Sequence, residues 1–291
     1  MTKRHIIVIA GPTASGKSDL AVQTAAAIGG TVINADATQV YQDLTIVSAR
    51  PTCADMQGIP HALYGYIDAW TQNTVQDWLR DIVPVLERTE HPVVVGGTGL
   101  YIGALVNGFH TIPDIDPSIR EKVRSMPISE VQKQVPDCRF TDPQRLCRAL
   151  EVYLSTGKPL SYFYEQPKTK IIDADFTVVF LNPDRETLYN RCDTRFRRMI
   201  EQGGIEEVRH LLSLKPTGGV LKAIGVPEIT AYLNGKNSLE ETIKAATLST
   251  RHYAKRQMTW FRHQLSSDIT TATPDADLIH HLTKRHKMSM I

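Results

Sequence analysis

Apolar residues in the first hundred positions follow two alternating rhythms. Short β-branched runs at His5–Ala10, Thr31–Ala35 and Pro92–Val95 lead into glycine or polar turns. That is the pattern of strands buried on both faces of a parallel sheet. Between them lie segments with apolar positions at helical spacing. Lys17–Ile28 places Leu20, Ala21, Thr24, Ala25 and Ile28 on one face and stops at Gly29-Gly30, and Val75–Arg88 follows the same logic. Alternation of strand and helix predicts a parallel sheet flanked by helices.

The rhythm breaks between about Ile112 and Lys170. Proline and aspartate turn signals there surround one strong helical stretch, Pro143–Ser155, and no strand pattern stands out. A buried strand resumes at Phe176–Leu181, followed by the arginine-rich helix Glu186–Gln202 and a long helical pattern, Leu239–Gln264. The expectation is an α/β core formed by residues 1–111 and 171–291, interrupted by a helical insertion domain at 112–170. Beyond Leu265 the pattern weakens, and His280-His281 and Lys284–Lys287 read as a disordered tail or surface residues.

Composition narrows the class. With 291 residues, 42% hydrophobic and 22% charged, a collagen-like, low-complexity or wholly disordered chain is excluded. No apolar stretch approaches the ~18–20 residues of a membrane helix, so no membrane partner is expected. Lys3 and Arg4 followed by Ile6–Ala10 imitate a signal peptide, but the apolar run is too short and leads directly into glycine. The four cysteines, Cys53, Cys138, Cys147 and Cys192, form no CxxC pair, so free thiols in a cytoplasmic, reducing compartment are expected. Residues 1–110 hold 6 Lys+Arg against 9 Asp+Glu, net −3, and the remainder holds 27 against 22, net +5. The basic part could meet a polyanion, although ordinary surface variation would look the same.

The first chemical signal is Gly11-Pro12-Thr13-Ala14-Ser15-Gly16-Lys17-Ser18, which fits G-x-x-x-x-G-K-[ST] between a predicted strand and a predicted helix. Glycines let the backbone aim N–H groups inward, the helix N-terminus adds positive charge, Lys17 reaches an outer phosphate and Ser18 can hold Mg²⁺. A P-loop NTPase-like core follows. The strand Val93-Val94-Val95 does not end in the aspartate that nucleotide hydrolysis expects. The acid comes after the second strand, as Asp36, where a carboxylate can face the phosphate loop and take a proton from a nucleophile. An Asx-turn or helix N-cap is the competing reading of Asp36. Group transfer is thus favoured over hydrolysis. A small-molecule kinase using ATP, with Asp36 as base for a hydroxyl, and a non-catalytic RNA-binding module both remain open.

Several stretches together resemble one family, the tRNA dimethylallyltransferases, which prenylate adenosine at N6. They are the GPTASGKS loop, Asp36–Tyr41, Gly96–Tyr101, Asp142–Glu151, Lys222–Gly225 and Tyr253–Trp260, in the family's order across roughly residues 5–264. The resemblance implies that Gly11–Ser18 binds the diphosphate of dimethylallyl diphosphate, with Thr13 at the donor, Ser18 at Mg²⁺ and Arg195 reaching the diphosphate. It makes Asp36 the base for the adenine amine and implies that Asp36, Ala37, Thr38 and Gln39 hold the flipped nucleotide. It also implies tRNA contacts at Thr98, Arg120, Gln144, Arg145, Leu146, Cys147 and Arg148, and at Lys222, Gly225, Arg251 and Lys255. A cytoplasmic monomer is the accompanying expectation. The chain departs from the family's pattern at Ala37, Val47-Ser48, Arg50, Ala62 and Val226, and its insertion between Arg120 and Asp142 is short. These departures bear on how tRNA is gripped rather than on the donor loop.

Some of these residues have plainer readings from the sequence. Arg145 and Arg148 share a helix face that could be merely solvated. Thr98 in a glycine turn could be structural, Cys147 could be a packing residue, and Trp260 and Phe261 read as core aromatics. The Arg191, Arg195, Arg197, Arg198 cluster is dense enough to suggest a phosphate partner.

Overall fold

The computed structural model describes residues 3–136 and 139–289, so the expected free thiol of Cys138 lies outside the described residues. One parallel sheet organises the fold. Its strands are β1 (Arg4–Ala10), β2 (Thr31–Asn34), β3 (His61–Ala62), β4 (Pro92–Gly96), β5 (Ala174–Leu181) and β6 (Ile269–Thr271). Across the sheet they run β3-β2-β4-β1-β5-β6, with every strand pair parallel. Val8 at the centre pairs with Val94 on one side and Val178 on the other, which is why β1 reads as an unbroken apolar run. The chain leaves β1 towards β2 and later returns to its other side at β5. The carboxyl ends around β1 are therefore a topological switch point, where α/β sheets bind ligands.

Helices cover the sheet as their apolar faces require. Lys17–Ile28 buries Leu20, Ala21, Thr24 and Ala25 and ends at Gly29 with φ of 67°. Val75–Arg88 starts at a capping box of Thr74 and Asp77 and buries Trp78, Leu79, Ile82 and Leu86. Trp78 stacks on Tyr101 at 4.6 Å and donates its indole N–H to the Asn34 carbonyl at 2.9 Å, so a core aromatic also pins the end of β2.

The weak signal after Leu265 conceals regular structure: the disordered alternative for the tail is corrected, whereas His280, His281, Lys284 and Lys287 are exposed surface residues, as expected. Ala276–Met288 is a helix capped by Asp275, with Leu278, Leu282 and His286 buried at four-residue intervals. Leu278 and Leu282 join the cluster that contains Leu20 and Ala21 of the Lys17–Ile28 helix. His280, His281, Lys284 and Lys287 share this helix, but the interval rather than the charge decides its placement. No described helix is long and apolar enough to cross a membrane.

The chain divides into two compact units, 1–106 with 171–291, and 107–170. The second begins before 112 because Phe109 and Thr169 exchange backbone hydrogen bonds of 3.1 and 2.9 Å, closing its base. Inside it, Pro117–Ser125, Ile128–Gln134, Pro143–Thr156 and Leu160–Glu165 are helices around Val123, Val131, Leu146, Leu150 and Phe163.

Candidate active site

Loops at the carboxyl ends of β1 and β2 converge on one cleft of about 230 Å³, which residues of the Arg185–Glu201 and Leu239–Gln264 helices also line. After β1 the backbone turns through left-handed conformations at Ala14 (φ 61°) and Gly16 (φ 86°) before the helix starts at Lys17. Gly11 sits in close quarters, since a Cβ there would stand 2.8 Å from the Ser15 Oγ and 3.2 Å from the Leu181 carbonyl oxygen. That hydroxyl is fully buried and has no hydrogen-bond partner, an orphaned donor within a phosphate-type loop. Lys17 Nζ donates to the Pro12 carbonyl at 3.1 Å, and burial pulls its pKa down to about 8, opposed by Asp36 and reinforced by Arg195.

Arg195, from the Arg185–Glu201 helix, donates to Thr13 Oγ1 at 3.0 Å. Burial lowers its pKa as well, and again Asp36 opposes the shift. Two desolvated cations thus face one carboxylate, an arrangement that favours an incoming anion. Together with the N–H groups of the turn it can stabilise negative charge on a leaving phosphate.

After β2, Asn34 sets the course of the backbone. It is fully buried, accepts the Asp36 N–H at 2.9 Å, and donates to the carbonyls of Asp36 (3.1 Å) and Leu63 (2.9 Å). Asp36 Oδ1 accepts from Thr38 N at 3.0 Å and Thr38 Oγ1 at 2.7 Å. The Asx-turn reading is therefore correct for one oxygen, while Oδ2 takes no part in the turn and Asp36 lines the cleft. Thr98, after β4, accepts the Ala37 N–H at 2.9 Å and so braces the Asp36 loop from behind. Gln39 lines the cleft and ties its wall by donating to Ser48 O (3.2 Å) and Ala49 O (2.9 Å).

The expected site residues separate into groups. Thr13, Lys17, Asp36, Thr38, Gln39, Arg195 and Lys222 line the same cleft, whose other wall is apolar, with Val47, Phe196 and Met199. Gly225 (φ 100°) lies buried beneath it, where a Cβ would meet Val47 at 2.6 Å. Arg251 is engaged by Asp193, with Nε to Oδ1 at 2.8 Å, and Lys255 is exposed on the same helix. Of the arginine cluster only Arg195 lines the cleft; Arg197 pairs with Glu240 at 3.2 Å, and Arg191 and Arg198 are exposed. Helical rotation separates them.

Arg120, Gln144, Arg145, Leu146, Cys147 and Arg148 belong to the other unit. There Gln144 and Arg145 are exposed, and Arg148 lies 3.5 Å from the Glu151 carboxylate. The Leu146 side chain is 2% exposed and packs in the core of that unit, and Cys147 packs against the same core.

Two residues of the long Leu239–Gln264 helix, to which the resemblance assigns no role, join the site. Gln257 accepts the Thr13 N–H at 2.9 Å and donates to the Gly97 carbonyl at 2.8 Å. Tyr253 is hydrogen-bonded to Thr98 and Gln257, and burial raises the pKa of its hydroxyl. Glu207 accepts three backbone N–H groups of the cleft wall, and no sequence motif marks it. The usable signal was Tyr253 and Gln257 one turn apart on the face that carries Ala254, Met258 and Phe261. Trp260 on this helix packs over Gly99 and Gly103, where Cβ atoms would approach it to 2.3 and 2.7 Å.

The family model described as IPP transferase matches residues 39–264, and a second, described as isopentenyl transferase, matches residues 4–72. A tRNA dimethylallyltransferase of Sphingopyxis alaskensis is 44% identical over 273 residues, 88% of this chain and 89% of the relative. One from Rhizobium etli is 41% identical over 293 residues, 94% of this chain and 99% of its own. Among solved structures, the full-length tRNA isopentenylpyrophosphate transferase of Bacillus halodurans superposes with a TM-score of 0.73 at 29% identity, covering 99% of this chain and 97% of that one. A eukaryotic dimethylallyltransferase captured acting on tRNA gives 0.79 at 29% identity, covering 98% and 78%.

Proposed function

The chain belongs to the IPP transferase family, and from that premise we propose that it transfers a dimethylallyl group from dimethylallyl diphosphate to N6 of the adenosine 3′-adjacent to the anticodon in tRNA, releasing diphosphate. The observation that carries the reading is the sharing of one cleft by Asp36, Lys17 and Arg195. An allylic diphosphate departs with charge building on its bridging oxygen. The backbone N–H groups of Gly11–Ser18, Lys17 and Arg195 stabilise that charge. The N6 amine is barely basic, so its proton must leave as the C–N bond forms and the C–O bond breaks. Asp36 Oδ2 takes it. Thr13 orients Arg195, and Thr38 and Gln39 line the acceptor side.

Among the described residues no group of three His, Cys, Asp or Glu could hold a metal ion. Mg²⁺ binds chiefly through substrate phosphates and water, and Ser18, on the first turn of the Lys17–Ile28 helix, would be its protein ligand. The ion would add neutralising charge to the diphosphate.

The acceptor base must unstack from its loop, at a cost of a few kcal/mol. The basic helices and the 107–170 unit, with Arg120, Arg145 and Arg148, offset that cost through RNA phosphates. The enzyme works as a cytoplasmic monomer. Incubation with labelled dimethylallyl diphosphate, unmodified tRNA and Mg²⁺ tests the reading. Label should appear in a single N6-alkylated adenosine. Unlabelled RNA, with ATP-dependent phosphorylation of a small molecule instead, would overturn it in favour of a kinase.

A further inference from the structure

Gln257 is 5% exposed, and its side-chain amide joins two loops that carry different halves of the chemistry. On one side it accepts the N–H of Thr13, whose hydroxyl receives Arg195. On the other it donates to the carbonyl of Gly97, next to the Thr98 hydroxyl that receives the Ala37 N–H behind Asp36. Each contact is shorter than 3 Å or close to it, so the series from Arg195 to Asp36 is continuous. The fit is tight, since a Cβ at Gly97 would stand 2.3 Å from the Gln257 Nε2.

We propose that Gln257 is a positioning residue for the transfer step, setting the distance and aim between the loop that holds the leaving group and the loop that carries the base. The proposal rests on the function proposed above. An amide suits the task because it presents one acceptor and one donor to a buried N–H and a buried C=O, which an apolar residue would strand. Gln257 does not line the cleft, so it need not touch either substrate. Its effect belongs to alignment, where a misplacement of about 1 Å costs roughly 10²-fold in rate. Substrate binding would be spared.

Single-turnover transfer by Gln257→Leu and Gln257→Glu across a pH series separates alignment from mere folding. The leucine variant should transfer roughly 10²-fold more slowly at every pH. Its donor KM and tRNA Kd should stay within about threefold of wild type. The glutamate variant is isosteric. As a neutral acid it can accept from Thr13 and donate to Gly97, whereas as a carboxylate it opposes the Gly97 carbonyl and adds negative charge near Asp36. Its rate should approach wild type at low pH and fall about tenfold per pH unit above its own pKa, a limb that wild type lacks. Should the leucine variant fail to fold, that limb alone decides. Wild-type turnover in the leucine variant, a loss confined to KM, or a glutamate variant without the extra limb would each overturn the proposal. Wild-type enzyme that leaves tRNA unlabelled would overturn the underlying reading instead, and this role with it.

Discussion

Replacing Glu207 by alanine should both destabilise the protein and loosen the cleft wall. The Glu207 carboxylate, on the helix Gly204–Ser213, accepts the backbone N–H groups of Thr45 and Ile46 at 2.7 Å each and of Val47 at 2.8 Å. Val47 and Ser48 line the cleft, and Gln39 bonds the next two carbonyls, so this carboxylate anchors the wall. It also opposes the burial that lowers the Arg50 pKa, and Arg50 holds the same segment through Tyr41 O at 3.0 Å. Hydrogen bonds to a charged partner contribute about 1.5–3 kcal/mol each. Three that share one acceptor and remain half-accessible to water will not add fully, so about 3 kcal/mol is expected. Glu207→Gln keeps the acceptor for Thr45 and Ile46 but turns an NH₂ towards the Val47 N–H, so it should fall between alanine and wild type. Urea unfolding at fixed pH measures the loss, and substrate KM measured well below Tm should rise as the wall slackens. A loss below about 1 kcal/mol with unchanged KM would refute the anchoring argument.

Three further outcomes follow from the same geometry. In the free enzyme Lys17, held to about 8 by burial, loses its proton as pH rises through that value, whereas a bound diphosphate favours the charged form. Donor affinity should therefore weaken by up to about tenfold per pH unit above pH 8, with proton uptake visible by calorimetry in buffers of differing ionisation enthalpy; pH-independent affinity there would contradict it. At the opposite end of the sheet, His5 and His286 contact at 2.9 Å, as do His286 and His91, and Thr177 lies 2.8 Å from His5. Burial, with neighbouring cationic groups, lowers the pKa of His5 and holds that of His286 to about 4. Both lie below the ordinary 6.5, so their contribution is complete above about pH 6.5 and drains as pH falls towards 4; a urea midpoint that stays flat across that window would exclude it. Arg145→Ala with Arg148→Ala should weaken tRNA binding and reduce its salt slope by about 1–2 while sparing donor affinity, with Arg145 dominating because Arg148 is already near Glu151; an unchanged slope would return both to a solvated face.

The strands that reach the site were readable because a buried parallel strand leaves an unmistakable apolar run. His5–Ala10, Thr31–Ala35 and Pro92–Val95 emerge as β1, β2 and β4, and Phe176–Leu181 falls within β5. β3 and β6 did not emerge, since two and three residues at the sheet's edges need no such run. The last helix was obscured by its charged outer face, although Leu278, Leu282 and His286 keep the buried interval. Of the site, the phosphate loop and Asp36 could be found because glycine spacing and a lone acid after a strand are local signals. Gln257 left only a hint in its helical spacing from Tyr253, and Glu207 left none, because each acts on backbone more than a hundred residues away. Only the fold brings those partners together.

The most direct test is single-turnover dimethylallyl transfer by Asp36→Asn, with tRNA affinity measured alongside. Asparagine retains the size of Asp36 and can still accept from Thr38, but it cannot take a proton from the amine. The account predicts a rate loss of at least about 10²-fold with tRNA binding largely preserved. Transfer at the wild-type rate would contradict it.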